Sequence, residues 1–271
     1  MGHLLDENGT ILENRQAGPG LFLMALRSEK IAQAVLAGQF VHMRVPGMEG
    51  HILRRPFSVY AASPSTGTIE ILYQTVGFGT RRMAALAPGE AVDMIGPIGS
   101  TWRLAYGAGH ALLVAGGVGA APLFMLAEGL VAKGIPVTAV LGAQTKDALV
   151  CYGRYGALLS GQAGQAGPGG PALYAATDDG SLGHRGLCTD VAAGLLDAGP
   201  YDYVAACGPE AMMRVVAGLA QKASVPCEVS LERRMACGIG ACLSCVVETR
   251  GGMRRACVDG PVFDAREVVF P

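Results

Sequence analysis

The chain has 271 residues, more than one hydrophobic core usually organises, so we expect two domains or two plus a small appendage. Its apolar fraction of 51% requires that a membrane span be considered first. The formal net charge of -1, with basic residues scattered along the chain, predicts neither nucleic acid nor a membrane surface as a partner.

Short strand-like runs dominate the first hundred residues and are separated by Gly, Pro and Ser. A helix-like segment at 80–88 interrupts them and follows Gly77 and Gly79. This pattern predicts an antiparallel β-barrel over residues 1–105. The strand-like runs are 39–46, 56–62, 68–76 and 91–97.

Within this region, the sequence Arg55-Pro56-Phe57-Ser58 begins a strand, and Gly79 and Thr80 open the helix-like segment. Free N–H groups and the helix dipole favour an anion at such a helix start, and an arginine can clamp the same phosphate. The pattern fits a phosphate site, but taken alone it more often marks a surface arginine beside a core strand.

From about residue 107 the pattern changes to strands that alternate with helices. Residues 107–127 carry no Asp, Glu, Lys or Arg, but their five glycines and Pro122 argue against a membrane-spanning helix. They predict a buried parallel strand, a glycine turn and a helix. We therefore expect a parallel-sheet α/β nucleotide domain over 106–226, with a mobile glycine-rich loop at 161–170.

Two strand-to-helix turns of this domain are candidate nucleotide sites. The first contains Gly116, Gly117 and Gly119, but it is not G-x-G-x-x-G, and no acidic residue ends the next strand. The second contains Cys207, Gly208 and Pro209, where the cysteine also fits a buried small hydrophobe. Cys151, Cys188 and Cys227 have no partner pattern, so no function is predicted for them.

The C-terminal segment 227–271 is dominated by closely spaced cysteines. Cys237, Cys242 and Cys245 follow a C-x4-C-x2-C pattern, with Cys257 downstream, which is the ligand spacing of a plant-type 2Fe-2S cluster. A structural zinc site also takes four cysteines, but usually as two separate C-x2-C pairs, and only one such pair is present. The fourth cysteine lies closer than in ordinary plant-type ferredoxins.

Glycines inside this cysteine segment agree with a cluster loop. Gly238 and Gly240 allow positive φ angles and let backbone N–H groups point at the sulfurs. We predict a small metal-dependent domain in a reducing compartment, the cytoplasm.

In this order, the motifs resemble the ferredoxin reductase superfamily, in which an FAD barrel precedes a nucleotide-binding sheet. Within it, the chain is similar to the electron-transfer subunits of class B dihydroorotate dehydrogenases, over nearly its whole length. The motifs that carry the resemblance are RRPFSVY, GPIGS, TDDGS, CGPEAM, SLERRMACGIGACLSCVVET and RRACVDGPVF.

The resemblance implies roles for individual residues. Ser58 near the flavin ring and Cys207 at the nicotinamide are the implied catalytic residues, and the four cysteines match the cluster ligands one for one. Phe57 takes a position that often holds Tyr in wider reductases, which keeps the ring and drops a hydroxyl. The implied FAD residues are Arg55, Pro56, Phe57, Ser58, Leu72, Tyr73, Gln74, Gly79 and Thr80, and the implied NAD residues are Gly116, Gly117, Gly119, Gly208 and Pro209.

The function that the resemblance implies is electron transfer for pyrimidine biosynthesis. Dihydroorotate would be oxidised at the FMN of a separate catalytic subunit, and electrons would pass through a 2Fe-2S cluster and FAD to NAD+. A heterotetramer with two of each subunit is implied, and this chain alone is not expected to oxidise dihydroorotate. The alternatives are an NAD(P)H:ferredoxin-type subunit that serves another redox partner, or a zinc-stabilised nucleotide-binding protein without redox activity.

Overall fold

A computed structural model of the chain describes residues 4–48, 50–103, 107–162 and 172–271. These residues form two seven-stranded sheets and a two-stranded hairpin. None of the helices in these ranges is both long enough and apolar enough to span a bilayer. The loop predicted at 161–170 lies outside the described residues from position 163 onward.

The first sheet is antiparallel throughout and has the strand order β4-β3-β7-β1-β2-β6-β5. It curls so that β4, at one edge, contacts β6, which confirms the predicted antiparallel architecture. Its strands are β1 (Leu5–Gly18), β2 (Leu21–Arg27), β3 (Phe40–Arg44), β4 (Arg55–Ser58), β5 (Ala61–Ser63), β6 (Thr68–Gln74) and β7 (Ala91–Ile98), and its helices are α1 (Glu29–Ala34) and α2 (Phe78–Ala84).

Two central strands of this sheet, β1 and β2, have no counterpart among the sequence predictions. The β1 sequence LDENGTILENRQAG buries only Gly9 and Ile11, so it lacks the apolar alternation that marks a strand. Backbone pairing holds β1 instead, since it bonds to β2 on one side and to β7 on the other.

The second sheet has the order β11-β10-β9-β8-β12-β13-β16, and every pairing is parallel except that of β13 with β16. Helices α3 and α4 pack on one face, while α5 and α6 pack on the other. The strands are β8 (Ala111–Gly116), β9 (Val137–Ala143), β10 (Leu173–Thr177), β11 (His184–Arg185), β12 (Tyr203–Cys207), β13 (Cys227–Ser230), β14 (Val246–Thr249), β15 (Gly252–Arg255) and β16 (Val262–Asp264), with β14 and β15 forming the separate hairpin. The helices are α3 (Ala120–Ala132), α4 (Tyr152–Ser160), α5 (Cys188–Ala198) and α6 (Glu210–Lys222).

The uncharged stretch 107–127 folds as predicted, into strand β8, a 3-10 turn at Gly117–Gly119 and helix α3. Every residue of β8 from Ala111 to Ala115 is buried, because helices cover both faces of a parallel sheet.

The cysteine-rich segment is packed into the rest of the molecule. Strands β13 and β16, from its two ends, extend the second sheet. One core cluster joins Phe40 and Ile98 of the first sheet to Val229 of the second and to Cys245 and Cys257 of the cysteine segment. The domain boundaries at 105 and 226 stay predictions. Side chains from all three regions pack together in this cluster.

Candidate functional site

A cavity of about 730 Å³ lies where the two sheets meet the segment that leads into the cysteine loop. Strands β4 and β6 and the start of α2 form one wall, while the start of α3, the end of β12 and residues 230–235 form the other. All nine residues predicted for FAD line this cavity: Arg55, Pro56, Phe57, Ser58, Leu72, Tyr73, Gln74, Gly79 and Thr80.

The first wall of the cavity is aromatic and rigid. The ring of Tyr73 lies 5.9 Å from that of Phe57, edge-on, and 5.7 Å from that of Phe22, stacked. Its hydroxyl donates to Asn14 Oδ1 at 2.9 Å, and burial raises the pKa of Tyr73 to about 12. Asn14 Nδ2 in turn donates to the carbonyl of Met83 at 2.8 Å. A neutral, fixed aromatic wall of this kind suits a flat conjugated ring.

The start of α2 offers donors and positive charge at the same cavity. Gly77 is the N-cap, and Thr80 Oγ1 accepts hydrogen bonds from the N–H groups of Gly77 at 3.1 Å and Val76 at 3.0 Å. Arg55 lies across the helix start, since a Cβ on Gly79 would be 3.1 Å from Arg55 Nε. A guanidinium beside an N-terminal helical turn fits a phosphate or diphosphate group.

The two glycine turns predicted for nucleotide binding meet each other at the carboxyl ends of β8 and β12. A Cβ on Gly119 would lie 2.3 Å from the Cys207 carbonyl oxygen, and one on Gly116 would lie 2.8 Å from Pro209 Cδ. Only glycine allows the two strand ends to approach this closely. Pro122 is the third residue of α3, within the turn whose N–H groups have no helical partner.

Cys207 is the one predicted nucleotide residue that lines the cavity itself. It is 2% exposed, and its Sγ donates to the Ser230 carbonyl at 3.5 Å. Burial raises the pKa of this thiol well above its usual range, so it remains protonated. The other predicted nucleotide residues, Gly116, Gly117, Gly119, Gly208 and Pro209, form the adjoining edge and are not among the cavity-lining residues.

Several cavity residues were not predicted from the sequence. Glu232 lines the cavity and stays accessible to solvent there, while desolvation by the surrounding protein raises the pKa of its carboxyl group. Arg233 forms a bidentate ion pair with Glu210 of α6, at 3.1 and 3.2 Å. These residues belong to the SLERRMAC motif, but no local pattern indicates that this segment folds back onto the barrel. The unpredicted residues include His51, Phe78, Glu232, Arg233, Arg234 and Met235.

The cysteine loop wraps around Cys237. Its Sγ accepts hydrogen bonds from the N–H groups of Ile239 and Cys242, both at 3.4 Å. The turns depend on positive φ angles of 71° at Gly238 and 83° at Gly240, as the sequence predicts. In addition, a Cβ on Gly240 would lie 2.6 Å from Val258 Cγ2. Backbone N–H groups directed at a cysteine sulfur are the usual environment of an iron–sulfur ligand.

The four predicted ligands differ in exposure. Cys242 is exposed, and hydrogen bonds from Ser244 and Cys237 lower the pKa of its thiol to about 6. Cys245 and Cys257 are buried, and burial raises the pKa of Cys257 to about 12. Within the described ranges, no three His, Cys, Asp or Glu side chains are grouped closely enough for a single metal ion. Four thiols in one segment, with backbone N–H donors on Cys237 Sγ, are a donor set that fits an iron–sulfur cluster.

Comparison with known proteins gives consistent matches along the chain. Residues 232–269 match the iron-sulfur cluster binding domain of dihydroorotate dehydrogenase B, and residues 18–102 match the oxidoreductase FAD-binding domain. The electron transfer subunit of dihydroorotate dehydrogenase B (NAD(+)) from Desulforamulus reducens is 35% identical over 264 residues, 96% of this chain and 97% of the relative. The chain belongs to the family of dihydroorotate dehydrogenase B electron transfer subunits. The Bacillus caldolyticus subunit is 37% identical, over 97% of this chain and 98% of its own.

Solved structures agree on the fold. The NADH-dependent reduced ferredoxin-NADP oxidoreductase, studied for flavin-based electron bifurcation, superposes with a TM-score of 0.85 at 31% identity, over 97% of this chain and 90% of that chain. A cytochrome P450 reductase from Amycolatopsis superposes with a TM-score of 0.68 at 23% identity, over 81% of this chain and 66% of that chain, and shows the fold alone. The predicted fold class and the FAD and iron–sulfur cofactors are confirmed, while the roles of individual residues stay predictions.

Proposed function

We propose that this chain is the electron-transfer subunit of an NAD-dependent dihydroorotate dehydrogenase, and that it carries FAD in the 730 Å³ cavity and a 2Fe-2S cluster in the cysteine loop. One observation carries the proposal. The same cavity is bounded by the barrel residues predicted for FAD, by Cys207 at the nucleotide turn, and by the 230–235 segment that runs directly into Cys237. The three proposed redox positions would therefore adjoin one another.

The chemistry follows from the three groups, because nicotinamide exchanges a hydride, a 2Fe-2S cluster exchanges one electron, and a flavin can do both. Arg55 and the N–H groups at the start of α2 would hold the diphosphate of FAD, while Phe57 and Tyr73 would pack against its ring. Ser58 would bond to the ring from the barrel side. Cys207 would line the nicotinamide position as a neutral S–H group.

We assign NAD+ as the co-substrate at the edge formed by Gly116–Gly119 and Cys207–Pro209. Two arguments support this edge. It lies at the carboxyl ends of neighbouring parallel strands, where open sheets bind their ligands, and it adjoins the flavin cavity. The choice of NAD+ over NADP+ rests on the family.

The partner in this proposal is an FMN-containing catalytic subunit that oxidises dihydroorotate, in an assembly with two of each subunit. The relatives are named as one subunit of a larger enzyme, which supports a separate partner. Cys242 is exposed at the cysteine loop, so an electron can enter there from outside the chain. Thiolate ligands need a reducing compartment, so we place the assembly in the cytoplasm.

An anaerobic absorption spectrum of the purified chain tests the proposal, with iron, zinc and flavin measured on the same sample. We expect about two irons and one FAD per chain, with both chromophores bleached by NADH. Mixing with a dihydroorotate-oxidising subunit should then give a stable complex that forms NADH from dihydroorotate. Zinc without flavin would refute the redox function, and dihydroorotate oxidation by the purified chain alone would refute the two-subunit arrangement.

A second candidate function is that of a subunit in an NAD(P)H:ferredoxin-type oxidoreductase. The close superposition on the NADH-dependent reduced ferredoxin-NADP oxidoreductase supports it, since 97% of this chain is covered at a TM-score of 0.85. The mixing experiment separates the two, because only the first candidate predicts a complex with the dihydroorotate-oxidising subunit.

A further inference from the structure

His42 occupies an unusual position between the flavin wall and the cysteine loop. It is the middle residue of β3, and it pairs with Pro56 of β4. Its neighbours Val41 and Met43 enter the barrel core, so His42 faces the opposite side of the sheet. Its side chain is completely buried there.

The cysteine loop rests directly on the His42 ring. A Cβ added to Gly238 would lie 2.6 Å from His42 Nδ1 and 3.3 Å from its Cε1 and Cγ atoms. The backbone of Gly238 therefore passes over the imidazole at a distance that excludes any side chain. The position needs glycine for this contact as well as for its φ of 71°.

Among the residues that the structure describes, neither nitrogen of this buried ring has a hydrogen-bond partner. The backbones of Cys237 and Arg54 both lie close to the ring. A neutral imidazole has one N–H donor and one acceptor nitrogen. An unpaired buried polar group costs about 1–3 kcal/mol, so its retention needs a reason.

On the barrel side of His42, Arg54 is held in place by hydrogen bonds to Asp93. Arg54 donates from Nη1 to the Asp93 carbonyl at 3.0 Å and from Nη2 to Asp93 Oδ2 at 2.8 Å. The next residue in the chain is Arg55, which begins β4 and lines the cavity. His42 therefore lies between a fixed flavin-binding strand and the first cluster ligand.

We propose that His42 is a positioning residue that fixes the Cys237–Gly238 segment of the cysteine loop on the flavin-binding strand and so sets the cluster's position relative to the flavin. The inference rests on the proposed function, because it concerns the distance between the two redox groups. The N–H of the imidazole would donate to the Cys237 carbonyl once the loop is folded around its cluster, which would satisfy the buried donor.

The test compares His42→Phe, which keeps a ring and removes both nitrogens, with His42→Asn, which keeps an N–H donor. His110→Phe is the matched control, since His110 is also buried but bonds to Thr138 Oγ1 at 3.1 Å within the second sheet. Each purified holoprotein is examined by electron paramagnetic resonance of the reduced cluster and by the rate of iron release to a chelator.

We expect His42→Phe to bind FAD, to shift the g values of the cluster, and to release iron about tenfold faster, the effect of losing about 1.4 kcal/mol. His42→Asn should restore the g values, and His110→Phe should not change them. Unchanged g values and iron release in His42→Phe would overturn the inference, while wild-type protein without flavin or iron would instead overturn the proposed function.

A second measurement needs no variant at this position. Wild-type holoprotein labelled with 15N-histidine should show a nitrogen coupling to the reduced cluster in pulsed electron paramagnetic resonance, and the coupling should persist in His110→Phe. Absence of any histidine coupling in the labelled protein would overturn the inference even if His42→Phe fails to fold.

Discussion

Arg154 of α4 forms an ion pair with Glu70 of β6 and thereby joins the helical layer of the second sheet to the first sheet. Its guanidinium also lies 4.8 Å from the ring centroids of both Tyr60 and Phe124, which come from opposite sides of the same junction. Because this one arginine contacts Glu70 and Tyr60 across the junction and Phe124 within its own helical layer, it contributes more than an ordinary surface pair.

We expect Arg154→Leu to lower the free energy of unfolding by about 1–2 kcal/mol, from the lost cation–π contacts and a partly screened ion pair. Arg15→Leu is the control, because Arg15 and its partner Glu13 are 53% and 52% exposed, and its expected effect is under about 0.5 kcal/mol. Urea unfolding of the cofactor-loaded protein, followed by Trp102 fluorescence, measures both. Equal midpoints for the two variants would contradict the prediction.

The sequence predicted the second sheet better than the first, for a physical reason. Strand β8 is buried on both faces, so it forms a continuous apolar run that can be recognised from the amino-acid sequence alone. Strand β1 is held by pairing on both sides while most of its side chains stay outside the core, so hydrophobic periodicity carries no signal for it. Backbone pairing between distant strands has no local signature.

The residues of the candidate site also fall into those that the sequence could predict and those that it could not. Cys237 and Cys242 were predictable because loop ligands of a cluster lie close together in sequence. Glu232 and His42 were not, since one enters the cavity and the other meets the loop only through packing between segments far apart in the chain. Neither contact has a spacing rule that a single sequence could reveal.

Gly240→Ala should reduce iron incorporation severely. The alanine Cβ would lie 2.6 Å from Val258 Cγ2 at a residue with a φ of 83°, so both the packing and the backbone of the ligand loop would be strained. Gly251→Ala is the control, because its Cβ would approach only Thr249 Oγ1, at 3.9 Å. Iron per chain measures the effect, and a Gly240→Ala protein with full iron content would show that the loop does not need this turn.

Arg55→Ala should weaken FAD binding about ten- to a hundredfold, since a hydrogen bond to a charged group contributes about 1.5–3 kcal/mol. Arg55→Lys should recover only part of the affinity, because an ammonium group cannot bond bidentately to phosphate. Arg44→Ala is the control, as this arginine is 62% exposed and only approaches Asp93 at 3.8 Å. Titration of the flavin-free protein with FAD measures the affinities, and equal values for Arg55→Ala and wild type would exclude a phosphate contact.

Cys207→Ala should slow flavin reduction by NADH about tenfold or more, equivalent to about 1.4 kcal/mol or more, because it removes the side chain that lines the proposed nicotinamide position.

Burial disfavours the thiolate and raises the pKa of Cys207 far above its usual range, so the thiol stays protonated as the pH rises. The wild-type rate should therefore show no thiol titration between about pH 6 and 9. Stopped-flow reduction measures both properties, with Cys188→Ala, a buried cysteine of α5, as the control. A rate that rises through a thiol pKa and loses this dependence in Cys207→Ala would instead identify a reactive thiolate.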